Sequence, residues 1–210
     1  NGMIVLPENP KTLTVLAGDQ TYMDLSFVGW AAGWRYLGLG GQLREEDGVA
    51  KAMIQQKIPS AESQLTLKAQ YARTGPREVE IRTHLSADKD TDLTYLVLSV
   101  DCSDRLFSKG SAHVIHADGS TKIVSLPLAR RGLGDQVKRV VFIDNAGRET
   151  ALNFEPALDV PSDNQARIVL ATEVEAASPV EAKIRVTFPE DITFYAGPSE
   201  IPREPGAEDW

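Results

Sequence analysis

Cysteine is the scarcest residue type in this sequence, with Cys102 as the only one among 210 residues. A disulfide framework is therefore excluded, and the cysteine content does not indicate a compartment. Cys102 ends the apolar run LTYLVLSVDC, where burial raises the pKa of a thiol. The sequence therefore favours a small core side chain over a nucleophile at this position.

Positive charge is also in short supply. The 22 Lys and Arg residues are outnumbered by 30 Asp and Glu residues, which gives a net charge of −8 and a pI near 5.0. Nucleic acids and anionic membranes both need a basic face, so the sequence argues against these two classes of partner. No stretch approaches the ~20 apolar residues of a membrane span.

Local motifs for catalysis or metal binding are missing as well. The sequence has no G-x-S-x-G, no Walker-type loop and no G-x-G-x-x-G followed by a helix. His113 and His116 are three residues apart on a predicted strand, so their side chains would point to opposite faces. Histidines on opposite faces cannot bind the same ion, and the chain has only one cysteine. The sequence therefore argues against a zinc site. No motif selects a carboxylate pair for glycoside hydrolysis.

Alternation of apolar and polar residues is the dominant pattern that is present. It is cleanest over residues 180–188, VEAKIRVTF, whereas residues 140–143, VVFI, are apolar without a break and predict a strand covered on both faces. Asp118-Gly119 and Asn145-Ala146-Gly147 are hairpin signals. Strands separated by such turns are typical of sandwiches and jelly rolls. We predict an all-β, antiparallel, jelly-roll-like β-sandwich with one short helix.

The short helix is predicted at residues 43–57, with acidic residues in its first turn and Pro59 after its end. The apolar side chains that would share one face of this helix are Val49, Ala50, Met53 and Ile54. One short helix in a β-domain is expected to be a connection between strands.

The sequence predicts a single domain over residues 1–197, in which residues 1–60 complete the sheets. Residues 198–210 contain three prolines and are predicted to form an exit linker towards a downstream domain. The last residue, Trp210, is expected to dock on that domain. Because Asn1-Gly2 is not a natural start, the chain is predicted to be an excised domain or a mature chain.

Three large aromatic residues, Trp30, Trp34 and Tyr36, lie in the glycine-rich segment 27–41, which is predicted to be a structured loop or a bent strand. Flat rings on a β-scaffold bind the apolar faces of sugars, while acidic or amide groups bond the hydroxyls. Glycines would let a ligand approach the backbone. These three residues are the candidate ligand-binding residues, with packing at the rim of the sandwich as the alternative.

Asp88, Asp90 and Asp92 alternate in the segment DKDTD between two predicted strands. Carboxylates at alternate loop positions can bind calcium. The segment lacks the glycine and the glutamate of an EF-hand loop, because Leu93 and Ser99 stand at those positions. The pattern therefore favours a solvated acidic turn, with calcium at these three residues as the less favoured alternative.

Three segments carry a resemblance to a known group of modules: LTYLVLSVD, then KIVSLPLARRGLGDQVKRVVFID with its Leu126-Pro127-Leu128 step, then RIVLA. Together they resemble the jelly-roll, galactose-binding-like modules of secreted bacterial carbohydrate-active enzymes. The resemblance covers about a third of the chain and departs from the group at VTFPEDITFYAG, where such modules often close on an aspartate-rich strand. It transfers no binding residue.

The resemblance implies a non-catalytic module that binds carbohydrate or braces a neighbouring catalytic domain of a glycoside hydrolase or polysaccharide lyase. The implied partners are a polysaccharide or oligosaccharide and a catalytic domain in the same polypeptide. The implied location is secreted or at the bacterial cell surface. Two alternatives remain: a structural or protein-interaction β-sandwich without a glycan ligand, and a small β-sandwich enzyme that degrades glycans.

Overall fold

The computed structural model describes residues 2–130, 132–161 and 164–197. The predicted exit linker, with Trp210, lies outside the described residues. Among the described residues, no helix has the length and apolar character needed to cross a membrane.

Strands form most of this part of the chain, and helices are limited to a single turn each. In chain order the strands are β1 (Met3–Asn9), β2 (Thr12–Ala17), β3 (Gln20–Ala31), β4 (Arg35–Leu37), β5 (Gly41–Glu46), β6 (Val49–Ile58), β7 (Ser63–Gly75), β8 (Glu78–Ala87), β9 (Thr91–Cys102), β10 (Ser111–His116), β11 (Thr121–Ser125), β12 (Gly134–Ile143), β13 (Glu149–Val160), β14 (Ala166–Val174), β15 (Val180–Thr187) and β16 (Ile192–Phe194). The helices are a 3₁₀ turn, Pro59–Ala61, and the four-residue α1, Asp104–Phe107.

The strands form two sheets. The seven-stranded sheet has the order β14-β9-β3-β2-β1-β16, with β4 paired to the end of β3, and the nine-stranded sheet has the order β11-β10-β12-β13-β15-β8-β7-β6-β5. Within the described residues the one parallel pairing joins β1 to β16. The predicted all-β antiparallel sandwich is confirmed, with sheets larger than those of an eight-stranded jelly roll.

The alternation of β15 decides which of its side chains enter the core. Ala182, Ile184 and Val186 are buried, whereas Glu181 is exposed and Lys183 is half-buried. β15 pairs with β13 on one side and β8 on the other, so its inward residues lie in the middle of the sheet. The inward register predicted for residues 180–188 is confirmed.

A polar contact joins the two sheets inside the core. The hydroxyls of Tyr22 on β3 and Thr150 on β13 lie 3.2 Å apart and form a hydrogen bond. Burial raises the pKa of Tyr22 to about 12, so this side chain is a neutral phenol at physiological pH. The bond satisfies two buried polar groups that would otherwise destabilise the core.

The predicted helix at residues 43–57 is wrong, because this segment is the β5–β6 hairpin. Asp47 and Gly48 both have positive φ, at 54° and 76°, as a two-residue type I′ turn requires. The buried residues of β6 recur with the period of a strand: Ala50, Ala52, Ile54 and Ile58. Hydrogen-bonded partners on both sides, β5 and β7, outweigh the helical spacing of a few apolar residues.

The strand at residues 140–143 is covered on one face rather than on both. Val140 and Phe142 are buried, whereas Val141 and Ile143 are half-buried on the outer face of the nine-stranded sheet. The prediction from the unbroken apolar run, that both faces of β12 are covered, is therefore wrong. In contrast, the apolar strand β9 has a hydrogen-bonded neighbour on each side, β14 and β3.

Candidate functional site

The three aromatic candidates lie on one hairpin at the edge of the seven-stranded sheet. β3 ends at Ala31 and β4 begins at Arg35, and Trp30 lies directly opposite Tyr36. Gly33 and Trp34 make the turn with φ of 76° and 63°. The glycine-rich segment is thus a tight hairpin that places its rings on the outer face of the sheet.

Thr94 on the neighbouring strand β9 holds this turn. Its hydroxyl donates a hydrogen bond of 2.9 Å to the carbonyl oxygen of Ala31 and accepts one of 3.3 Å from the backbone N–H of Trp34. One side chain therefore fixes both ends of the turn. Trp34 is held in its left-handed conformation by a contact from outside the hairpin.

The rings form a cluster, here called the aromatic patch: Trp30, Trp34, Tyr36 and Tyr95. Trp30 lies opposite Tyr95 across β3 and β9. Trp34 packs edge-on against both, with ring centroids 5.9 Å from Trp30 and 5.7 Å from Tyr95 and interplanar angles of 65°. Trp30 and Tyr95 are half-buried, whereas Trp34 is 58% exposed and Tyr36 is 65% exposed.

A cation covers part of the patch. The guanidinium carbon of Arg167 lies 4.5 Å from the ring centroid of Trp30, within the range of a cation–π contact. Arg167 belongs to β14 and is carried to this position because β14 pairs with β9. Trp30 is therefore the fixed base of the patch, and Trp34 and Tyr36 are the rings that face solvent.

Beyond the apolar pair Val28 and Val97, polar side chains lie further along the same outer face. Ser26 lies opposite Ser99, and Asp24 lies opposite Asp101, one outward position further along β3 and β9. The Ser99 hydroxyl donates a 2.9 Å hydrogen bond to Gln165. Burial raises the pKa of Asp101, and neighbouring carboxylates add to the rise. At ~3.4 Å per residue, this face extends about 20 Å from the rings to the carboxylates.

The structure brings the three sequence-predicted rings together and adds two residues that sequence reasoning missed. Tyr95 occupies an outward position in the alternation of LTYLVLSVD, a signal that could have been read from the sequence. Arg167 could not be found in that way, because its place beside Trp30 depends on the pairing of β14 with β9.

The three aspartates of the segment DKDTD are not gathered around a common point. Asp88 accepts a hydrogen bond from the backbone N–H of Gln64, and Asp90 accepts one from Ala176, both at 2.8 Å. Asp92 lies on β9 opposite Glu173. Among the described residues, no group of three or more His, Cys, Asp and Glu side chains is arranged to hold a metal ion.

No protein-family profile and no curated protein matches this chain. Similar solved structures include a glycoside hydrolase family 97 enzyme from Pseudoalteromonas sp. strain K8 in complex with acarbose, at 8% identity and a TM-score of 0.49. A variant of that enzyme in complex with panose is 9% identical, also with a TM-score of 0.49. In both cases the similarity covers 88% of this chain and 34% of the other.

A GalM/aldose epimerase homologue from C. elegans is similar at 9% identity and a TM-score of 0.49, over 91% of this chain and 99% of that one. The present chain therefore spans about a third of the length of the glycoside hydrolase chains and nearly all of the epimerase homologue. Each of these is a protein to which the present chain is similar at low sequence identity.

Proposed function

We propose that this chain is a non-catalytic module that binds a polysaccharide or oligosaccharide on the aromatic patch. In this proposal it serves a glycoside hydrolase or polysaccharide lyase whose catalytic domain is in the same polypeptide, secreted or at the bacterial cell surface. The observation that carries the proposal is Trp34, a ring 58% exposed on a residue with φ of 63°.

The backbone conformation of Trp34 has a cost in folding that glycine at the same position would not have. A left-handed backbone costs a side-chain-bearing residue about 1–2 kcal/mol. An exposed ring recovers little of that by burial, and its two edge-on contacts stabilise by about 0.5–1.5 kcal/mol each. Glycine would make the same turn without this cost. Strain held at an exposed aromatic side chain supports a role in binding.

The surroundings of Trp34 fit the two kinds of contact that a sugar needs. Trp30 and Tyr95 both contact the ring of Trp34 and so reduce the motion that would be lost on binding. Its exposed surface can then stack on the apolar face of a sugar ring. Further along β3 and β9, the exposed carboxylate of Asp101 and the half-buried carboxylate of Asp24 supply hydrogen-bonding partners for the sugar hydroxyls.

The patch also limits the shape of the ligand. Because Trp34 stands at 65° to both Trp30 and Tyr95, the rings do not form one continuous plane. A sugar that stacks on Trp34 is therefore flanked by rings that meet it at an angle. This arrangement favours a bent or twisted glycan chain over a flat, extended one.

The test is affinity electrophoresis over a broad panel of polysaccharides, run with the wild-type protein and with Trp34→Gly. We expect at least one neutral polysaccharide to retard the wild-type protein. Trp34→Gly should migrate in a gel with that polysaccharide as it does in a gel without it. Ile123→Ala is the matched control, because Ile123 is an apolar side chain, 71% exposed, on β11 of the other sheet. It should be retarded like the wild-type protein.

Two outcomes would contradict the proposal. If Trp34→Gly keeps the retardation of the wild-type protein, the ligand does not bind on the aromatic patch. If the wild-type protein is retarded by no polysaccharide of the panel, the structural or protein-interaction alternative is favoured, with the patch as the surface that a neighbouring domain covers.

A further inference from the structure

A concave surface lies on the opposite side of the sandwich from the aromatic patch, on the outer face of the nine-stranded sheet. It has a cavity volume of about 490 Å³. Its floor is made by β7, β8 and β15, with Glu155 of β13 at one side. We call it the charged groove and define it by seven lining residues, which are Lys68, Gln70, Arg82, His84, Lys183, Glu155 and Glu181.

Strand register explains why these side chains meet. Gln70 lies opposite Arg82 on β8, and Arg82 lies opposite Lys183 on β15. Two residues away, Lys68 lies opposite His84. Directly opposed side chains have Cβ atoms about 4.5–5.5 Å apart. Register therefore concentrates three cationic side chains on three adjacent strands of a chain whose net charge is −8.

Two of the three cations already form ion pairs, Lys183 with a carboxylate in the groove and Arg82 with a carboxylate beneath it. Lys183 Nζ lies 2.8 Å from Glu155. The Nε of Arg82 donates to Glu80, a carboxylate that is buried in the sheet. Burial alone would raise the pKa of Glu80, but its hydrogen bonds to Arg82 and Arg185 hold that pKa below its usual range.

This pairing leaves Arg82 anchored at one end and open at the other. Among the described residues, neither Nη nitrogen of Arg82 has a hydrogen-bond partner, and its side chain is 65% exposed. A guanidinium fixed in this way presents its terminal N–H groups in a rigid fork that matches an oxyanion.

Lys68 and Gln70 complete the open set of groups. In the described part of the chain, the Lys68 ammonium has neither an ion pair nor a hydrogen bond, and the Gln70 amide has no hydrogen-bond partner. The charges that line the groove are three cations against two carboxylates, Glu155 and Glu181. Arg82 and Lys183 are already paired with Glu80 and Glu155, so Lys68 is the lining cation that has no ion pair among the described residues, and it matches a ligand with a single negative charge.

We infer that the charged groove is a binding site for a uronate, a sugar that carries one carboxylate. Lys68 and the Nη groups of Arg82 bind the carboxylate. Gln70 and the carboxylates of Glu155 and Glu181 bond to the sugar hydroxyls. This site is independent of the proposed neutral-glycan site, because it lies on the other sheet and recognises charge where the aromatic patch recognises apolar ring faces.

The test is isothermal titration calorimetry, which measures the affinity of the chain for each sugar. The titrants are digalacturonate and a glucuronate-containing disaccharide, with neutral disaccharides and hexose 6-phosphates for comparison. We expect the uronates to bind in a way that depends on Lys68, whereas any binding of neutral disaccharides, which the aromatic patch could provide, should not depend on Lys68. Because the contact is ionic and exposed, the affinity for uronates should fall as salt rises. Tighter binding of hexose phosphates than of uronates would overturn the assignment to a carboxylate.

Lys68→Met is the decisive variant, because Lys68 has no partner among the described residues and its replacement leaves no charge unpaired. We expect its affinity for uronates to fall at least about tenfold, as for the loss of a bond to a charged group. Lys109→Met, at an exposed lysine beside α1, is the matched control and should bind as the wild-type protein does. Unchanged binding in Lys68→Met would overturn the inference.

The two proposals fail separately. The groove is tested with short acidic sugars and Lys68→Met, whereas the aromatic patch is tested with neutral polysaccharides and Trp34→Gly. Uronate binding that depends on Lys68 supports the groove whatever the result on the patch. No uronate binding at concentrations on the order of 10 mM, a range that includes weak complexes, would overturn the groove alone.

Discussion

The strain at Trp34 can be separated from its ring contacts by comparing Trp34→Ala with Trp34→Gly. Both variants lose the two edge-on contacts to Trp30 and Tyr95, which stabilise by about 1–3 kcal/mol together. Alanine keeps the cost of a left-handed backbone, about 1–2 kcal/mol, whereas glycine does not. Glycine in turn loses about 0.4–1 kcal/mol through the greater entropy of its unfolded chain.

The expected difference in the free energy of unfolding is therefore about 1 kcal/mol in favour of Trp34→Gly. For a chain of this size, 1 kcal/mol shifts the melting temperature by about 2–4 °C. Differential scanning calorimetry of the two variants, at the same pH and salt concentration, measures this difference. The polysaccharide assay on the same samples should show that both variants have lost retention.

Equal melting temperatures for the two variants would refute the expected difference, because glycine would then relieve no more strain than the roughly 0.4–1 kcal/mol that it loses through the entropy of its unfolded chain. A higher stability of Trp34→Ala would refute it more strongly, since only the entropy of the unfolded chain would then distinguish the two. In either case the strained backbone at the exposed ring would no longer support a role of Trp34 in binding.

Two further predictions concern the fold and the acidic turn. Ile184→Ala should lower the free energy of unfolding by about 2–5 kcal/mol, because Ile184 is fully buried between β13 and β8; Lys183→Ala should cost less than about 1 kcal/mol. Urea denaturation measures both, and equal costs would mean that the register is wrong. A chelator should not change the melting temperature, because Asp88 and Asp90 already accept backbone N–H groups and calcium is not needed to fix the turn. A fall of several degrees would instead indicate a bound ion that stabilises the native state.

The architecture could be predicted from local pattern wherever a strand has one wet and one dry face. Residues 180–188 are the example, because a single register buries Ala182, Ile184, Val186 and Phe188 and turns the half-buried Val180 towards the core. The β5–β6 hairpin was mispredicted because Val49, Ala50, Met53 and Ile54 also fit a helical face. The dipeptide Asp47-Gly48, which has the composition of a tight hairpin turn, was the signal that distinguished the two.

The candidate site was predictable in part, for a physical reason. The sequence brings Trp30, Trp34 and Tyr36 close together along the chain, so their proximity needed no knowledge of the fold. Arg167 reaches Trp30 through the pairing of β14 with β9, which joins residues far apart in sequence. The charged groove depends in the same way on the pairing of β8 with β15. Pairing of this kind follows from global packing and not from any local pattern.

The pairing of β3 with β9 has a consequence for how the specificity of this surface can change during evolution. Inward side chains of both strands belong to the core, and outward ones form the aromatic and polar rows. A deletion of one residue in either strand would exchange these two sets and expose the core. New specificity must therefore arise by substitution at fixed outward positions. The hairpin turn at residues 32–34 is the exception, because it can lengthen without moving either strand.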